Sequence, residues 1–292
     1  MNTRRNLTLI APAIILASSI ACALPAAPTA IPTPTPGFVL PSAIPPSISP
    51  PIASETAVPS PTPTPTASAT PTQTPTPTVT VRPGVEASFL RDQPDIDGSW
   101  SEWTTSQFPI RSVVSGKAHW SGEDDLRASY RVGWDEKYLY LAVKVFDDEY
   151  VQNATGANLF KGDSIEVLLS TEPEADRAGA GLTGHNYQIG ISPGSPDAGK
   201  HVEAYLWYPA SKAGSLTKVD AGAVPMDGGY RVEMAIPWST FGVTPARGLV
   251  LGFALSVSDN DDPDKNTQQT MISTSPERAL DDPATWGRLT LR

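Results

Sequence analysis

The side chains with most chemical potential in this sequence are carboxylates. Glu166 lies in Phe160-Lys161-Gly162-Asp163-Ser164-Ile165-Glu166-Val167-Leu168-Leu169-Ser170, where a polar turn leads into an alternating run. If Ile165, Val167 and Leu169 face a core, period-two geometry sends Ser164, Glu166 and Leu168 to the opposite face. A carboxylate in mid-sheet is either part of a solvated face or the hydrogen-bonding centre of a ligand site. A second alternating run places Val202, Ala204 and Leu206 on one face and Glu203, Tyr205 and Trp207 on the other. Glycosidic hydrolysis requires two carboxylates flanking the scissile bond. Glu166 and Glu203 are available for that, but no local signal pairs them. The sequence has no Gly-rich phosphate loop, no nucleophile elbow and no locally supported Ser-His-Asp arrangement. We therefore read the chain as non-catalytic.

A second concentration of oxygen ligands is Asp259-Asn260-Asp261-Asp262-Pro263-Asp264. Calcium takes six to eight oxygens from carboxylates, amides, carbonyls and water, so Asp259, Asn260 and Asp261 are candidate ligands. The alternative is a solvated turn tip, and the spacing is not that of an EF-hand. The runs Asp147-Asp148-Glu149 and Glu123-Asp124-Asp125 read as solvated loops. His119, His185 and His201 show no transition-metal spacing.

The elements that must position these groups are strands. Leu139, Leu141, Val143 and Val145 alternate within Tyr138 to Phe146. So do Tyr230, Val232, Met234 and Ile236, and Leu251, Phe253, Leu255 and Val257. Further strands are predicted over 128–134, 164–170, 186–191, 201–208, 268–273 and 288–291. The one helical signal is a single turn at Trp238-Ser239-Thr240-Phe241. Many short strands separated by Gly, Pro, Asn and Asp predict an all-β fold, an antiparallel β-sandwich over 84–292. One-sided alternation leaves each sheet a second face for water or ligand.

The rest of the chain is an export and tethering segment. Arg4 and Arg5 precede the apolar stretch Leu7 to Ile20, which is short for a membrane span and reads as a signal peptide over 1–22. The single cysteine, Cys22, follows Ser19-Ile20-Ala21 and resembles a bacterial lipobox; the alternative is an ordinary cleaved signal. Lipidation there would anchor the exported chain to the membrane. Of the 31 prolines, 18 lie between Pro25 and Pro83, in a segment whose only charges are Glu55 and Arg82. Residues 23–83 are thus predicted to be a disordered Pro/Thr-rich linker with a reach of roughly 180 Å. Its hydroxyls are candidates for O-glycosylation. One cysteine permits no internal disulfide, so the folded domain must rely on its own core. From Gly84 onward there are 18 basic and 30 acidic residues, a net charge of −12. That balance excludes nucleic acid as an expected partner.

Four motifs in order carry a family resemblance. They are Ile96-Asp97-Gly98-Ser99-Trp100-Ser101-Glu102-Trp103, Val132-Gly133-Trp134-Asp135-Glu136-Lys137-Tyr138-Leu139-Tyr140, Gly162-Asp163-Ser164-Ile165-Glu166, and Gly229-Tyr230-Arg231-Val232-Glu233-Met234-Ala235-Ile236-Pro237-Trp238. The ending, from Leu251-Gly252-Phe253 through Ser258-Asp259-Asn260-Asp261 to Trp286-Gly287-Arg288-Leu289, agrees with them. Together they resemble family 9 carbohydrate-binding modules over nearly all of 86–292. The resemblance implies a jelly-roll-like β-sandwich with bound calcium and a sugar site, serving as a carbohydrate-binding module.

It also implies which residues form that site. Binding members clamp a sugar ring between two tryptophans, and the matching positions here are Phe160 and Leu280. Phe retains an aromatic face for the ring, whereas Leu offers only apolar bulk. Glu166 matches a carboxylate that accepts hydrogen bonds from sugar hydroxyls. Gln188 stands where binding members carry Arg. Tyr205 and Trp207 form a candidate stacking platform beside Glu166 and Gln188, or else cover neighbouring strands. Trp100, Trp103, Trp134, Trp238 and Trp286 read as core anchors. Related sandwiches bind haem through Met or His, leaving Met226, Met234, Met271 and the histidines as a different reading; Met234, alternating with core residues, is expected to fill the core instead. A structural or adhesive surface domain is the remaining alternative.

Overall fold

The computed structural model describes residues 84–179, 181–195 and 201–292. The signal segment with Cys22 and the linker over 23–83 lie outside the described residues. The domain is built from strands β1 (Gly84–Phe89), β2 (Gln107–Ile110), β3 (Ser112–Ser115), β4 (Leu126–Trp134), β5 (Tyr138–Asp147), β6 (Ser164–Ser170) and β7 (Asn186–Ser192). They are followed by β8 (Glu203–Tyr208), β9 (Gly214–Ser215), β10 (Asp220–Met226), β11 (Gly229–Pro237), β12 (Val250–Asp259), β13 (Thr270–Ser273) and β14 (Gly287–Leu291). Among the described residues, the one α-helical turn is α1, Trp238–Phe241.

The strands run in the order β10-β11-β5-β4-β1-β14-β12-β6-β7-β8-β9, with β2 on β4, β13 on β12 and β3 on β13. β1 divides this order in two. Its first residues pair in parallel with β14, and Ser88 and Phe89 pair in parallel with β4. The two halves enclose one core. Leu139, Leu141, Val143 and Val145 of β5 and Val232, Met234 and Ile236 of β11 meet Ile165, Val167 and Leu169 of β6 and Leu255 and Val257 of β12. Every one of these positions belongs to a period-two run, so alternation in the sequence becomes burial on one face. Met234 is fully buried among these apolar neighbours.

The outer faces are not simply solvated. On the β5–β11 side, residues 96–103 fold back over the sheet, so Trp103 packs with Tyr140, Ala142 and Ala235. The clasp is polar at its centre. Glu233, which has no exposed surface, accepts hydrogen bonds from the backbone N–H of Gly98 (2.8 Å) and Asp97 (3.1 Å) and from Trp103 Nε1 (2.6 Å). Gly98 adopts φ +86°, a conformation that suits glycine, as the chain turns into this contact. Trp103, Trp134, Trp238 and Trp286 are buried as expected. Trp100 is a correction, being half-buried, with Lys144 and Arg131 lying 5.0 and 5.5 Å from its ring. Trp120 packs on the core and donates to Leu126 O at 3.1 Å.

Candidate functional site

β6 lies between β12 and β7, and register places Glu166 directly between Ser256 and Gly190. Ile165, Val167 and Leu169 point inward, so Glu166 stands on the outer face, and it is only 5% exposed. A carboxylate removed from water needs donors. Glu166 Oε2 accepts from Gln188 Nε2 at 2.7 Å, and Oε1 forms an ion pair with the guanidinium of Arg278. Gln188 comes from β7, while Arg278 descends from the loop between β13 and β14. Arg278 Nε is buried without a protein partner. The three side chains form a polar floor with both donors and acceptors.

Two exposed apolar side chains lie on the segments that lead to this floor. Phe160 sits on the 3-10 helix Gly156–Lys161, immediately before the turn into β6. Leu280 follows Arg278 by two residues. Among the described residues, the large apolar side chains left exposed are Tyr150, Phe160 and Leu280, each at 37%, so two of the three sit on the segments that carry the chain to Glu166 and Arg278. The Phe160 and Trp207 rings meet in a T-shaped contact, with centroids 6.0 Å apart at 78°, and Trp207 meets Tyr205 at 5.8 Å.

Trp207 and Tyr205 do share the outer face of β8, as alternation predicts, but Trp207 is a wall more than a free platform. Its Nε1 donates to Ala157 O at 2.9 Å. Its ring fills the space left by Gly190, where a Cβ would fall 2.2 Å from Trp207 Cη2. Glu203 is likewise committed, accepting from Gly156 N at 2.9 Å and fixing the start of the helix that carries Phe160. The two carboxylates considered for hydrolysis thus both have structural partners.

A separate group of carboxylates gathers where strands from both halves end. Oxygens of Asp147, Asp163 and Asp259 lie within 4.8 Å of one another; so do those of Asp125, Asp259 and Asp261, and of Asp147, Asp148 and Asp261. Asp147 closes β5, Asp259 closes β12, Asp163 precedes β6 and Asp125 precedes β4. Asp125 and Asp147 are buried, correcting the reading of their acidic runs as solvated loops. Asp259 and Asp261 belong to the group. Asn260 does not supply its amide: Nδ2 donates to Lys265 O (2.9 Å) and Asp262 O (3.3 Å), and Oδ1 accepts from Asp262 N, so the side chain staples the following turn.

The electrostatics of this group are unfavourable without a cation. Burial, with Asp147 and Asp261 close by, pushes Asp259 up to about 8. Burial also pushes Asp147 up to about 7, against the Glu149 N–H that lowers it. Burial and the neighbouring Asp147 raise Asp163 well above the usual carboxylate range. Asp147 Oδ2, both Asp259 oxygens, Asp261 Oδ1 and Thr270 Oγ1 are buried without a protein donor. Thr270 is paired in register with Asp259 and so shares its face. Oxygen-only ligands, several of them carboxylates lacking donors, fit a hard divalent cation such as calcium.

Comparison with known proteins agrees with this architecture. The chain is 28% identical over 200 residues to endo-1,4-beta-xylanase A of Thermotoga maritima, covering 68% of this chain and 17% of that enzyme. It is 27% identical over 193 residues to exoglucanase XynX of Acetivibrio thermocellus, covering 65% of this chain and 15% of the relative. The chain thus spans only a small part of these relatives. A family 9 carbohydrate-binding module from Caldicellulosiruptor kristjanssonii, solved in complex with cellotriose, superposes with a TM-score of 0.54 at 18% identity, covering 72% of this chain and 94% of that one. The same module was also solved with glucose, and superposes at 0.53. Residues 95–292 match the carbohydrate family 9 binding domain-like family, a span that includes Glu166, Arg278 and the whole acid cluster, and the chain therefore belongs to that family.

Proposed function

We propose that the domain over 84–292 binds sugars at the Glu166 floor and has no catalytic activity of its own. The observation that carries this reading is the convergence of Arg278 and Gln188 on a nearly buried Glu166 in mid-sheet. A carboxylate, a guanidinium and an amide together can accept from one sugar hydroxyl and donate to its neighbour, with charge-assisted bonds about twice as strong as neutral ones. Phe160 supplies the aromatic face, and Leu280 supplies apolar surface without a second ring. One ring in place of two implies weak binding, with a Kd on the order of 1 mM, about −4 kcal/mol. The test is calorimetric titration with cellotriose and glucose in calcium-containing buffer. Saturable binding abolished in Glu166→Ala supports the site, and no heat up to 10 times that concentration rejects it. A Soret band in the purified protein would favour haem instead.

The acid cluster is the proposed calcium site, held by Asp147, Asp163 and Asp259 with Asp125 and Asp261. When bound, calcium would neutralise these buried like charges. Saturating calcium at 100 times its Kd would stabilise the fold by about 2.7 kcal/mol. The melting temperature in calcium and in chelator measures this directly.

The setting we propose is extracellular, with the domain held by lipid on Cys22 at the end of the Pro/Thr tether and, given its negative charge, taking no nucleic acid. The basis is the apolar signal segment and the composition of 23–83. Release of the Cys22→Ala protein from the membrane fraction into the medium would support the anchor, and unchanged membrane association would reject it.

A further inference from the structure

The acid cluster and the Glu166 floor are joined by one short stretch of chain. Asp163 contributes to the cluster and directly precedes β6, with Glu166 three residues on. Its Oδ1 accepts from Asn260 N at 3.1 Å, and its other oxygen accepts from Val151 N. The backbone N–H of Asp163 returns a bond to Val151 O at 3.0 Å. Residues 151–163 are therefore closed into a loop whose clasp is a carboxylate of the cluster. Phe160 is carried on that loop.

Gln152, buried in the middle of it, links clasp and helix. Its Nε2 donates to Asp163 O (2.7 Å) and to Leu159 O (3.1 Å), while Oε1 accepts from Ala154 N (3.0 Å). Gly162 leaves room for this amide: a Cβ there would sit 2.4 Å from Gln152 Oε1. Such close packing transmits a displacement of Asp163 to the 156–161 helix instead of absorbing it.

We infer that divalent-cation occupancy of the acid cluster and sugar binding at the Glu166 floor are positively coupled through Asp163, with Gln152 as the positioning residue that relays the cluster to Phe160. This rests on the sugar reading above. Without a cation, Asp147 Oδ2 and both Asp259 oxygens are buried with no donor, and nothing ties them to the neighbouring Asp163. Drawing Asp163 into a fixed position fixes the Val151 and Asn260 N–H groups and, through Gln152, the helix that carries Phe160. Coupling of this kind is reciprocal: the factor by which the cation tightens the sugar must equal the factor by which the sugar tightens the cation.

The test uses the full chain, with calcium and cellotriose as probes. Calorimetry is expected to show cellotriose binding at least fivefold tighter in calcium than in chelator, and calcium binding tighter by the same factor in cellotriose. Amide exchange over 155–163 is expected to slow on adding calcium alone. Gln152→Leu should retain calcium binding while the calcium effect on cellotriose falls below twofold and the exchange protection is lost. Equal cellotriose affinity with and without calcium overturns the coupling and leaves the sugar site standing. Failure to bind cellotriose in either condition overturns the sugar reading. In that case, or if Gln152→Leu fails to fold, exchange in the unaltered protein decides the relay: slowed exchange supports it, and unchanged exchange overturns it.

Discussion

Arg278 and Glu166, 112 residues apart in sequence, form a nearly buried ion pair at the centre of the proposed sugar floor. Removing one partner of such a pair leaves the other charge without compensation. Arg278→Ala should therefore destabilise the fold by about 3 kcal/mol. It should also weaken cellotriose binding at least tenfold. Urea unfolding and calorimetry measure the two effects, and the double variant Glu166→Gln/Arg278→Ala should recover part of the lost stability. Independent, additive losses would show that the two residues do not act as a pair.

Leu280 offers apolar surface but no ring beside the proposed sugar floor. Leu280→Trp should restore a second ring and tighten cellotriose binding about fivefold, an aromatic contribution on the order of 1 kcal/mol. Phe160→Ala in the same background should remove more than that gain. An unchanged affinity in Leu280→Trp would place Leu280 outside the ligand's reach.

Gly190 is expected to tolerate no side chain because the Trp207 ring occupies its Cβ position. Gly190→Ala should cost about 1–3 kcal/mol, the usual range for overpacking. The displaced Trp207 should then shift the protein's emission to the red. A Trp207→Phe background should be far less sensitive to the same substitution.

Glu233 makes stability depend on pH. Burial, reinforced by nearby Glu102, pushes its carboxyl up from 4.5 to about 7, against the lowering effect of the Gly98, Trp103 and Asp97 N–H groups. The folded state thus binds this proton more tightly than the unfolded chain. The contribution is fully present below pH 4.5 and is lost as pH rises through 7. Glu233→Gln cannot titrate, so the stability advantage of the unaltered protein over the variant should shrink between pH 4.5 and 8 by roughly 1–3 kcal/mol. Parallel stability curves for the two proteins across that range would refute this.

Much of the fold was legible because burial in a sandwich follows alternation. β5, β6, β11 and β12 are long, with apolar residues at every second position. β1, β2, β3, β9 and β10, which alternation does not predict, are short or interrupted. Pro109 lies in β2, and Gly222 and Pro225 lie in β10, so no periodic signal survives there.

The site was only partly legible, for a related reason. Glu166 and Gln188 sit on alternating strands, whereas Arg278 lies in an irregular loop and reaches the floor only when that loop folds over β6. Trp207 was placed on the correct face, but its role as a wall depends on the empty Cβ position at Gly190, across a strand boundary. The acid cluster shows the same limit. Asp259 and Asp261 are separated in sequence only by Asn260, but Asp125, Asp147 and Asp163 join them only because strand ends from both halves converge.

The parallel seating of β1 also has a mechanical consequence. The chain enters the domain at Gly84, and β1 is bonded to β14 on one side and to β4 on the other. Tension delivered through Gly84 acts along that strand, so its ladder bonds share the load in shear instead of opening one after another. From there the load passes through β14 and β12 to β6, the strand that carries Glu166. Force applied at Gly84 and force applied at Glu166 would thus meet through one continuous hydrogen-bonded sheet.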